Sequence, residues 1–111
     1  MINIYSDGDG VVVSLKPQVK NEVKYKFNEK QLLAELQEYI DSTYTKHYVG
    51  EDNIQAFELI VSAGHGMGFT IGNDIKYASR YGKKNGRNRD DLMKILHYTI
   101  LALYVHDKET K

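Results

Sequence analysis

Residues Gly64 to Tyr81 read GHGMGFTIGNDIKYASRY. Four glycines fall within the first nine of these residues, an Asn-Asp pair follows, and Lys76 and Arg80 stand one helical turn apart. The glycines form either a loop built to hold a phosphate or only a flexible turn before an amphipathic helix. Glycine costs a helix interior about 1 kcal/mol relative to alanine. Asn73 carries the short polar side chain that caps a helix start. The spacing therefore predicts a glycine-rich loop, Asn73 as N-cap, and a helix over about 74–81 that Gly82 terminates.

Upstream, Ile54 to Ala63 (IQAFELIVSA) is short and strongly apolar, and it is expected to be a helix ended by Gly64. Downstream, Asn88 begins the last helix, with Asp90 and Asp91 in the first turn, where the helix dipole favours acids. That helix runs to about His106. Its apolar residues, from Leu92 to Val105, cover nearly the whole circumference, so it belongs in the middle of a bundle or against another subunit. Further upstream, Asn28 is the expected N-cap of a helix over Glu29–Ser42. Gln31 stands at the capping-box position, and Phe27 and Leu32 at the staple positions. Thr43 to Asn53 reads as a loop.

The N-terminal part reads differently. Ile2–Tyr5 and Val11–Leu15 flank Ser6-Asp7-Gly8-Asp9-Gly10, a hairpin signal. Val23, Tyr25 and Phe27 alternate with lysines as in a third, irregular strand. The expected fold is thus one α+β, mainly α domain. Residues 1–27 form a β-hairpin and extended segment, and residues 28–111 form a helical body of about four helices. Homo-oligomerisation is expected, because 111 residues bury only a modest core.

The apolar fraction of 41% and charged fraction of 27% are those of an ordinary globular protein. Cysteine is absent, which excludes disulfides and thiolate metal sites. No apolar run approaches the roughly 18 residues of a membrane span, and the acidic N-terminus lacks signal-peptide character. A cytoplasmic protein is the expectation. The net charge is zero, but it is unevenly spread. Residues 1–75 hold 6 Lys against 11 Asp and Glu. Residues 76–89 hold Lys76, Arg80, Lys83, Lys84, Arg87 and Arg89 with no acid. Such a segment attracts anions even on a neutral molecule.

A phosphate site needs free backbone N–H groups at a helix start, glycines that permit close approach, and a nearby cation. The stretch offers Gly68, Gly72 and Asn73 for the backbone part, with Lys76, Arg80 and Lys83 as cations. Phe69 or Tyr77 could stack on a base. No Gly-Lys-Ser/Thr occurs, so this is not a Walker A loop.

From His47 to Leu103 the chain resembles a family of small bacteriophage proteins described as nucleotide-kinase-like. The family pattern begins HY-x-x-G, and here His47-Tyr48-Val49-Gly50 has one residue fewer before its glycine. The centre is kept as Gly68-Phe69-Thr70-Ile71-Gly72-Asn73-Asp74-Ile75-Lys76-Tyr77, then Arg80, Gly82 and Lys83. The end is kept as Asp91-Leu92-Met93-Lys94, followed by His97-Tyr98. Residues 1–46 lie outside it. The resemblance implies a phage origin and a nucleotide ligand, with His47 and Tyr48 joining Phe69 and Tyr77 around base and sugar.

Two functions follow. The first is a nucleotide-binding protein that sequesters a nucleotide, or a cyclic or ADP-ribose-type immune signal, with no cofactor. The second is a deoxynucleoside monophosphate kinase without a P-loop, in which Asp91 would assist Mg²⁺. No catalytic residue is assigned. Nucleic-acid binding is disfavoured by the neutral total, and a zinc site by the scattered His47, His65, His97 and His106.

Overall fold

A computed structural model describes residues 22–47 and 55–110 of the chain. Four helices follow one another: α1 (Glu29–His47), α2 (Gln55–Ser62), α3 (Gly66–Arg80) and α4 (Arg89–Glu109). Among the described residues there is no strand: the described part of the fold is all-α, which corrects the α+β expectation there. The hairpin expected from Ile2–Tyr5 and Val11–Leu15 lies outside the described residues. Val23, Tyr25 and Phe27 do lie within them, and they form no strand. Their side chains are exposed, Phe27 by 74%. No described strand stands beside them to pair with, and alternation alone does not make a sheet.

Helix α1 begins where expected. The Leu32 amide donates to the Asn28 carbonyl at 3.0 Å. The anticipated staple is not packed, since Phe27 faces solvent, and the Phe27 amide instead donates to Glu29 Oε1 at 3.0 Å. The helix runs five residues past Ser42. The hydroxyls at the expected end turn back onto the helix: Ser42 donates to the Tyr39 carbonyl and Thr43 to the Ile40 carbonyl, both at 2.7 Å.

Helix α2 closes as the sequence suggested. Gly64 has φ +89°, its amide donates to the Val61 carbonyl, and the His65 amide donates to the Ile60 carbonyl, each at 3.0 Å. This pair of bonds satisfies the last carbonyls of α2 around a left-handed glycine.

The principal departure is α3. It starts at Gly66, eight residues before the expected Asp74, so the supposed loop is mostly helix. Packing overrides propensity here. A Cβ on Gly66 would lie 3.1 Å from methyl groups of both Val105 and Val61, so glycine lets α3 approach α4 and α2 closely. Thr70 is fully buried, and its hydroxyl donates back to the Gly66 carbonyl at 3.0 Å. Phe69 meets Phe57 of α2 and Tyr98 of α4.

Helices α3 and α4 form an antiparallel pair, joined by a turn in which Gly82, Asn85 and Gly86 take positive φ. Asn88 caps α4, its side chain accepting from the Asp90 amide at 3.0 Å. Helix α1 lies on α4, and α2 lies on α3. The buried apolar residues are Leu36, Met93, Ala102 and Val105. No described helix is long and apolar enough to cross a membrane.

Candidate functional site

The basic segment and the aromatic residues meet where the C-terminal half of α3 faces the N-terminal half of α4. Tyr77 is the centre. Arg80 Cζ lies 4.8 Å from its ring centroid, Lys76 Nζ 5.0 Å and Lys94 Nζ 5.9 Å. Tyr98 stacks on Tyr77 at 6.1 Å and 14°. Helical spacing explains the grouping. Lys76 and Tyr77 sit one turn before Arg80, and Asp91, Lys94 and Tyr98 recur at three and four residues along the facing side of α4.

Arg80 is fixed from beneath. Its Nε and Nη2 donate to Asp91 Oδ1 at 3.2 and 3.0 Å. Asp91 is fully buried, whereas the Arg80 side chain keeps 26% of its surface. Asp91 Oδ2 has no hydrogen-bond partner among the described residues. The expected use of Asp91 for Mg²⁺ therefore meets a carboxylate that is enclosed and committed to a guanidinium. Among the described residues no group of three or more His, Asp or Glu side chains is placed to hold a metal ion.

At the start of α4, Arg89 forms a forked pair with Glu35 of α1, with Nη2 to Oε1 at 3.0 Å. The Arg89 hydrogen bonds hold the Glu35 carboxyl below its usual range, and the same bonds push the Arg89 guanidinium higher still. Two of the six cations are thus neutralised. Among the described residues, Lys76, Lys83, Lys84, Arg87 and Lys94 make no salt bridge.

The backbone part of the expected phosphate site is placed differently. Gly72 and Asn73 lie inside α3, where their amides serve the helix itself. The Asn73 side chain donates to the Phe69 carbonyl at 2.9 Å and caps nothing. The amides left over at a helix start belong to Gly66, Met67 and Gly68, because Phe69 makes the first bond back, to His65. Gly68 stands about 12 Å along the axis from Lys76, so those amides and the cations do not converge. Lys83 is exposed in the turn beyond α3. His47 ends α1, and Tyr48 lies outside the described residues. Phe69 is held between Phe57 and Tyr98, so it serves packing.

Sequence reasoning missed Lys94 and Tyr98 as members of the patch. Their spacing from Asp91 was the available signal. It also missed a cleft of about 720 Å³ between the end of α1, α2 and α4, lined in part by Tyr44, Phe57, His97, Ile100, Tyr104 and Lys108. His97 joins cleft to patch: its ring stacks on Tyr98 at 6.4 Å and meets Tyr39 edge-on at 5.7 Å. Burial pushes the His97 imidazole below its ordinary value of 6.5.

The described residues form four helices, with a cationic, aromatic patch on the antiparallel pair α3 and α4. A family model described as a protein of unknown function, DUF3310, matches residues 42–99, over half of the chain, and the chain belongs to that family. No curated protein and no solved structure matches it.

Proposed function

We propose that this protein binds a phosphate-bearing, nucleotide-type ligand at the Tyr77 patch and holds it without chemical change. The observation that carries the reading is the pair of lysines, Lys76 and Lys94, brought from two helices to one tyrosine ring with no carboxylate partner among the described residues. Two mobile ammonium groups beside a guanidinium fixed by Asp91 suit an anion with several charged oxygens. The base has an apolar, aromatic cleft available within one turn of α4, since His97 follows Lys94 by about 4.5 Å along the axis. The cleft volume falls in the usual range for a small-molecule site.

Binding is favoured over phosphoryl transfer because the carboxylate best placed to aid a metal is buried and paired. The resemblance to nucleotide-kinase-like phage proteins puts nucleotides, including cyclic and ADP-ribose-type signals, first among phosphate ligands. Sequestration in the cytoplasm of an infected cell is the role that reading supports. Incubation with a nucleotide panel and Mg²⁺, followed by denaturation and chromatography, is expected to return the ligand intact. A phosphorylated or hydrolysed product would replace this reading with an enzyme.

A further inference from the structure

We propose that the open face of the α3–α4 pair is where two copies of this chain associate. On one side of the pair, α2 packs through Phe57 against Phe69 and Tyr104, and α1 packs through Tyr39 against His97. On another side, two apolar stripes stand uncovered by the described helices. Ile71 and Ile75 of α3 are 42% and 64% exposed. Leu92, Leu96 and Leu103 of α4 are 43%, 47% and 59% exposed.

Each stripe follows from helical spacing. Ile71 and Ile75 are one turn apart, and Leu92, Leu96 and Leu103 recur at four and seven residues. The Thr99 hydroxyl donates to Asp74 Oδ2 at 2.6 Å. Asp74 lies beside Ile71 and Ile75 on its helix, and Thr99 lies between Leu96 and Leu103. That bond therefore puts both stripes on the same side of the pair. His97 follows Leu96 by about 100° around the helix, which turns it toward α1 and away from the stripe.

Area, charge and symmetry point to a second copy as the occupant. The five side chains expose on the order of 500 Å², a large part of the ~800 Å² per partner that a stable interface buries. Gly68 and Gly72, beside the α3 stripe, have no atom of the other described residues near where a Cβ would stand, so another backbone can come close. Asp74 is the one charged residue in 66–75, and it is engaged by Thr99. Lys94 is the one charged residue in 92–103, and it turns to Tyr77. An acidic or basic partner thus finds little to pair with on this face, while two copies of it do not repel one another. The whole chain is formally neutral as well. A two-fold axis laying one antiparallel pair on its copy buries identical stripes on both subunits and closes a four-helix core.

Sedimentation equilibrium of the full chain, from micromolar concentrations upward, is expected to show a dimer. Leu96→Glu and the milder Ile75→Gln are expected to raise the dissociation constant by about tenfold or more while circular dichroism keeps its helical signal. Leu33→Glu, at a 62% exposed site on α1, is expected to leave it unchanged. A wild-type chain that stays monomeric throughout overturns the proposal. So does a dimer that survives both substitutions on the face.

Discussion

Arg80 and Asp91 bring opposite charges into a place where Asp91 has no contact with water and Arg80 keeps about a quarter of its surface. Removing the arginine would leave a buried carboxylate without its partner, and that is the costly half of such a pair. Arg80→Ala is expected to lower stability by about 2–4 kcal/mol in urea unfolding, whereas Lys76→Ala is expected to stay within about 0.5 kcal/mol. Equal small losses would mean that the pair does not hold α3 to α4. His97 makes a second prediction at this scale. Its folded-state affinity for a proton is depressed by burial, so between that lowered value and 6.5 the unfolded chain binds more protons. Its contribution to stability is full above about pH 6.5 and declines as pH falls through that window. His97→Gln is expected to flatten the stability profile there, and an unchanged slope would refute this source. The sequence offered Arg80 as a phosphate cation and Asp91 as a helper of Mg²⁺, and the structure pairs the two with each other. The sequence could not show that they neutralise each other, because an ion pair across eleven residues depends on how the turn between them folds.

At the scale of elements, α3 separates what the sequence disclosed from what it did not. The end of α2 at Gly64 and the cap of α4 at Asn88 were legible, since each rests on local backbone chemistry. The start of α3 was not. Its glycines argue for a loop by propensity, yet Gly66 is needed for contact with Val105, nearly forty residues away. The helical signal was present in Phe69, Asn73 and Tyr77, spaced four apart, but the glycines masked it. Gly66→Ala is expected to cost about 1–3 kcal/mol, because the added methyl meets two packed valines. A neutral or stabilising result in thermal unfolding would show that α3 can shift away from α4 without loss. The hairpin read from the Asp-Gly turns lies outside the described residues, whereas the third strand read from alternation at Val23, Tyr25 and Phe27 lies within them and is not formed.

At the scale of the whole molecule, the uneven charge was the most informative feature of the sequence. The excess of cations in residues 76–89 survives folding in reduced form, since Arg80 and Arg89 are paired and the lysines have no ion pair among the described residues. Folding adds what composition could not: Lys94 arrives from α4, and an aromatic-lined cleft opens next to the patch. The central claim is that Lys76 and Lys94 together hold the phosphates of a nucleotide-type ligand. The most direct measurement is calorimetric titration of a nucleotide panel into the wild-type chain and into Lys76→Ala/Lys94→Ala. The account predicts binding by the wild type and a loss of about a hundredfold in the double variant, a little under 3 kcal/mol, with helicity unchanged. Equal affinity in both proteins, or no binding of any phosphate-bearing member of the panel by the wild type, would contradict it.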